Sequence, residues 1–212
     1  DSGKMSKSSG EFLTVSLLES KGYDPMVYRM FCLQSHYRKT LVFTYENLDN
    51  AAVAYDKLIA RIAALGTEGE VDNAALETLR AGFCKALDND LNTALALTAV
   101  YDVLKAGTND ATKRAAIADF DRVLCLNLFA AADERNRRAA EEAKKRAEAE
   151  AAARAEAAKD PFVAEILELI DRRAAAKKAK DFAEADRIRQ YLADRGVTLV
   201  DSKEGTTYQI VK

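Results

Sequence analysis

FCKALDNDLNTALALTAVYDVL, residues 83–104, holds the end of one amphipathic helix, a polar corner and the start of another. Upstream of Phe83 and Leu87, Val71, Leu76 and Leu79 continue the apolar stripe. Asn92 or Thr93 caps the next helix, which carries Leu95, Val100, Tyr101 and Leu104 before Gly107. Working outward, a helix from Asn47 places Leu48, Ala51, Tyr55, Leu58, Ile62 and Leu65 on one face, and Gly66 stops it. A fourth carries Ile117, Phe120, Val123, Leu124 and Leu128. Four amphipathic helices with short connections predict a mainly α fold, an antiparallel helical bundle.

The flanks differ in kind. Residues 1–10 are a polar loop, and Phe12–Val15 reads as a short strand. Ser16 is expected to cap a helix over Leu17–Lys21 with Gly22 as its C′ residue, and Asp24-Pro25 opens the next. No alanine occurs in the first fifty residues, whereas the rest of the chain is crowded with them. Between Ala130 and Asp160 there is no Leu, Ile, Val, Phe or Met, only an Ala/Glu/Lys/Arg mixture that is helical by propensity and has nothing with which to pack. Asp160-Pro161 restarts a packed helix with Phe162, Ile166, Leu169 and Ile170. A second runs from near Asp181 to Gly196, and Val197–Leu199 with Thr207–Ile210 form a small β-hairpin. The expected domains are 1–46, a loop and short-element segment; 47–129, the bundle; 130–160, a helical connector; and 161–212, a small α+β module.

The chain has 212 residues with 32 Lys+Arg against 34 Asp+Glu, a formal net charge of −2. That balance argues against a generic basic nucleic-acid binder and against a polybasic membrane anchor. No stretch approaches the roughly 18 apolar residues that span a bilayer. DSGKMSKSSGEF has no apolar region of a secretory signal and no initiator Met, so it reads as a cut inside a larger protein. Cys32, Cys84 and Cys125 form no CxxC and are expected as buried thiols. A lone His36 argues against a Ser-His-Asp triad or a multi-His metal site.

Lys4-Met5-Ser6-Lys7-Ser8, between Gly3 and Gly10, is the short motif with a mechanism. Two lysines three apart among small hydroxyl residues can close over a polyphosphate, strongest as charge builds on departing pyrophosphate. The same residues would also suit a plain polar terminus. A second charged feature spans Asp171–Arg195, where eight Lys/Arg face five acids. By itself that is a solvated helix face.

GKMSKSSGEFLTVSLLESKGYDPMVYRMFCLQSHYRKTLVF resembles the signature loop and stem-contact segment of class I aminoacyl-tRNA synthetases, the cysteinyl-tRNA synthetases above all. FCKALDNDLNTALALTAVYDVL is similar to the Asp-rich, Asn-Thr corner of that family's helical anticodon-binding bundle, with Ala94 where members carry Pro. RRAAAKKAKDFAEADRIRQYLADRGVTLVDSKEGTTY resembles its small C-terminal anticodon module. The resemblance implies the tRNA-binding C-terminal part of an ATP-dependent cysteine–tRNA ligase, cytoplasmic and monomeric, acting on tRNA(Cys) with a GCA anticodon and needing no membrane.

It further implies that Lys7 contacts ATP with Lys4 assisting, and that Arg38 and Lys39 touch tRNA phosphates. Lys177, Phe182, Asp186, Arg189 and Asp201 fall where the family reads the anticodon, members often having Arg and Trp at the first two. An aspartate can accept from a cytosine amino group, an arginine can bridge guanine acceptors, and an aromatic ring can stack on an unpaired base. The nucleotide-binding core and the zinc ligands of the family have no counterpart in this chain. No metal site and no aminoacylation by the chain alone are therefore expected. The alternative is a helical scaffold that pairs through the 130–160 helix, which lacks the Leu/Ile heptads for it.

Overall fold

Helix starts in this chain are set by short polar side chains that accept the first free amides. A computed structural model describes residues 14–202 and 205–210. In the first unit, Asp1–Ala140, Thr14 caps α1 (Val15–Ser20) and Asp24 caps α2 (Pro25–Leu33), with Pro25 at its first position. Thr44 caps α3 (Tyr45–Ala63), Asp72 caps α4 (Asn73–Asp88), Asn92 caps α5 (Thr93–Lys105) and Asn109 caps α6 (Asp110–Leu124). Gly22 ends α1 at φ +88°, the left-handed conformation expected of a C′ glycine.

Among α3–α6, α5 carries the fewest charges, and it packs against α2, α3, α4 and α6. The core around it is aliphatic and aromatic: Leu48, Leu58 and Ile62 from α3, Phe83 from α4, Val100 from α5, Ile117 and Phe120 from α6, all buried. Phe83 and Phe120 stack at 4.1 Å between ring centroids. Buried Thr112 is fully used, its hydroxyl donating to Asn109 Oδ1 and accepting from the Asp72 amide, each near 2.8–2.9 Å.

The end of α6 is pinned from three sides. Cys125 turns left-handed at φ +51°. The Asp121 carboxylate accepts from the amides of Leu126 (2.7 Å) and Leu128 (2.9 Å), Arg29 Nε donates to the Leu124 carbonyl (2.6 Å), and buried Tyr55 donates to that of Leu126 (2.7 Å). α7 (Leu128–Ala157) begins there. Its first turns are attached: Ala132 is buried, Arg135 pairs with Asp56 at 2.6 Å and Asn136 donates to the Ala63 carbonyl.

The second unit, Glu141–Lys212, contains the rest of α7, α8 (Pro161–Lys178), α9 (Phe182–Asp194) and an antiparallel pair, β1 (Val197–Ser202) and β2 (Gly205–Ile210). Asp160 caps α8 ahead of Pro161, and Asp181 caps α9 by accepting from the Glu184 amide. The core is Ile166, Ile170, Ile188, Leu192, Val197 and Leu199, with Phe162, Leu169 and Tyr208 against it.

The helices and the hairpin thus stand where the apolar spacing puts them, with several differences. Ser16 is the second residue of α1 and not its cap, Val71 precedes α4, and Leu95 and Val123 are exposed rather than on the buried face. Thr14 and Val15 are a cap and the first helical residue, not strand, because the Thr14 hydroxyl accepts from the Leu17 amide; Phe12 and Leu13 lie outside the described residues. α3 starts two residues before Asn47, since Thr44 takes the Asn47 amide. Leu128 belongs to α7, and the 130–160 helix is not wholly without packing. Cys84 and Cys125 are exposed, Cys84 on the outer face of α4 and Cys125 where the helix has ended; only Cys32 packs against the core.

Candidate nucleic-acid interface

The α8–α9 corner sets the expected reading residues. Asp181 N–H returns to the Ala176 carbonyl and Lys180 N–H to that of Lys177, with Lys180 left-handed at φ +63°. This paired closure turns the chain so that Asp181 can cap α9 at once. Along α9, Ala185, Ile188 and Leu192 face the core. Phe182, Asp186 and Arg189, at helical spacings of four and three, share a neighbouring flank of the helix and are exposed. Phe182 is 63% exposed, so it is no core residue.

Most of the local basic charge is already spent within the unit. Arg172 pairs with Glu184 at 2.8 Å, Arg195 with Glu165, and Arg154 with Asp171. Lys178, Lys180 and Arg189 remain exposed and outside these pairs.

Asp201 and Lys177 come together, but not with open hands. Asp201 Oδ1 accepts from Arg173 Nη1 (2.8 Å) and the Thr206 hydroxyl (2.7 Å); Oδ2 accepts from Arg173 Nη2 (2.9 Å) and Lys177 Nζ (2.8 Å). Arg173 is 3% exposed, and its Nε meets no acceptor among the described residues. The Arg173 fork, then Lys177 and Thr206, hold the Asp201 carboxyl far below the usual carboxylate range. The same fork raises the Arg173 pKa.

The unfolded chain therefore takes up this proton first as pH falls. The stability that Asp201 contributes is complete well above pH ~4, the unfolded aspartate value, and drains away below it. Thermal melts of the second unit are expected to fall between pH 7 and pH 3, and Asp201→Asn to flatten that dependence. An unchanged pH profile in the variant would assign the acid loss to other carboxylates.

In the first unit, Arg38 Nε lies 2.8 Å from Asp90 Oδ2, and Asp90 also accepts from Tyr37 at 2.7 Å. His36 stacks on Tyr37 at 4.9 Å and stands 3.6 Å from Asp90, a structural post. Asp90 and Leu91 are both left-handed, φ +55° and +50°, so this segment grips a strained corner. Lys39 is exposed beside it. Lys4 and Lys7 lie outside the described residues.

Two residues were missed from sequence. Arg173 continues the Ile166–Ile170 stripe at the next helical step, and a charge on an apolar stripe was its signal. Asp90 had none, because its partners sit some fifty residues away.

The DALR domain family matches residues 82–124, the stretch from α4 through α6. Over 206 residues, 94% of this chain, it is 40% identical to a cysteine–tRNA ligase of Novosphingobium aromaticivorans. The chain is homologous to the cysteine–tRNA ligases. That of Klebsiella pneumoniae is 37% identical over 99% of the chain, and that of Geobacter sulfurreducens 36% over 98%. The chain spans 38%, 43% and 45% of the lengths of these three ligases. It corresponds to the C-terminal, mainly helical part of cysteine–tRNA ligases, with the DALR match inside the first unit. No helix among the described residues is long and apolar enough to cross a membrane. No three His, Cys, Asp or Glu side chains converge among them, so the described residues offer zinc no donor set.

Proposed function

We propose that this chain is the tRNA-recognising part of a cytoplasmic, monomeric cysteine–tRNA ligase, and that its second unit reads the GCA anticodon of tRNA(Cys). The observation that carries this is the exposed row Phe182, Asp186 and Arg189 on one face of α9. A ring open to solvent can stack on a splayed base, while a carboxylate and a guanidinium one turn away address cytosine and guanine edges. Arg38 and Lys39 supply phosphate contacts, which position without reading sequence. Near-neutral overall charge suits a binder that relies on a few base contacts more than on a phosphate-wide electrostatic term.

The whole ligase attaches cysteine to tRNA(Cys) using ATP, Lys7 and Lys4 steadying the polyphosphate. The adenylate-forming core belongs to a part of the relatives outside their match to this chain. A helical scaffold is the poorer account, since α7 offers no apolar seam to a partner helix.

Titration with an anticodon stem-loop carrying GCA and one with a changed anticodon base tests the proposal. The expected result is clear preference for GCA; equal affinities with only a salt-dependent term would overturn it. Arg189→Ala is expected to weaken the GCA stem-loop by about 1–3 kcal/mol and the variant far less. Equal losses for both would reduce Arg189 to a phosphate contact.

A further inference from the structure

We propose that Arg173 is a positioning residue for anticodon recognition: it holds Asp201, and Asp201 in turn fixes the ammonium of Lys177 at the α8–α9 corner. This rests on the anticodon-reading function proposed above. All four acceptor positions of Asp201 are taken, two by Arg173 and one each by Thr206 and Lys177. No lone pair is left for a base amino group, so Asp201 acts on RNA through the lysine it holds. Lys177 Nζ has two further N–H groups to donate, and its side chain is 41% exposed.

Three features favour this role over plain stapling. Arg173 and Lys177 are one helical turn apart on α8, so a fixed guanidinium dictates where the shared carboxylate presents the ammonium. A free lysine loses much rotamer freedom on binding, and a tether removes that cost beforehand. A buried guanidinium with an unpartnered Nε is a poor way to add stability, because an apolar residue at that point of the stripe would pack without the desolvation penalty. Asp186 lies near enough to act on the Arg173 charge, which joins this network to the exposed row.

The test is a double-mutant cycle on the full chain with the two stem-loops. Arg173→Lys keeps the charge and loses the two-pronged fork. It is expected to lower the preference for GCA by roughly tenfold, about the size of one base-specific contact. In a Lys177→Met background, where the preference is already reduced, adding Arg173→Lys changes it no further. A merely structural arginine would weaken both stem-loops alike in both backgrounds, and that result overturns the proposal. So does a folded Arg173→Lys chain with undiminished preference.

If circular dichroism shows that Arg173→Lys unfolds the second unit, Asp201→Asn takes its place. It leaves an acceptor for the fork and releases the ammonium, and a retained preference there again overturns the proposal. An unsubstituted chain that fails to distinguish the stem-loops defeats the anticodon reading itself, a result separable from the loss of the Arg173 role alone.

Discussion

Asp201→Ala is expected to unfold the second unit while leaving the first intact. The substitution strands the buried Arg173 guanidinium, whose Nη atoms then face only the Thr206 hydroxyl, and it frees Lys177. Removing one partner of a buried pair costs about 3–5 kcal/mol, and the open side of Asp201 brings the expected loss nearer 2–4 kcal/mol. Among the described residues the unit's core is a cluster of six buried Ile, Leu and Val side chains, and a core in so small a module rarely supplies more than about 3–5 kcal/mol. The loss is therefore comparable to its entire stability. Hydrogen exchange should show amides of α9, β1 and β2 unprotected at neutral pH while those of α3–α6 stay protected. Retained protection in the hairpin would mean that the core holds without the ion pair.

Phe120→Ala is expected to cost the first unit about 3–5 kcal/mol, the range for deleting a buried ring. Phe120 is fully buried and stacked on Phe83, with Ala116 and Ile117 on its own helix also at zero exposure. The neighbours are helical side chains in fixed positions, so the space left by the ring cannot collapse well. Urea unfolding should shift its midpoint with little change in slope. A loss below about 1 kcal/mol would show that the core repacks around the hole.

The elements legible in the sequence were those written locally. Asp24-Pro25, Asn92, Asp160-Pro161 and Asp181 open helices as their side chains dictate, because a cap needs only amides two or three residues on. Thr14 and Val15 misled because a run of four β-prone residues is too short to outweigh one capping threonine. Cys84 and Cys125 misled because an apolar neighbour in sequence is not a neighbour in space: one turns outward and the other sits past a helix end. Of the candidate site, the α9 row could be read because helical spacing places it. The Arg173–Asp201–Lys177 network could not, since it joins positions 24 to 28 residues apart through a hairpin that must form first.

The Asp90–Leu91 corner has a kinetic meaning. Two successive left-handed residues with side chains cost of order 1–3 kcal/mol each. What repays them is the grip of Tyr37 and Arg38 on Asp90, across some fifty residues. Although α4 and α5 adjoin in sequence, their corner thus closes like a long-range contact, and it can lock only after the chain ahead of α3 has docked. Weakening that grip should leave the refolding rate almost untouched and quicken unfolding instead, the behaviour of a latch set after the main barrier has been crossed.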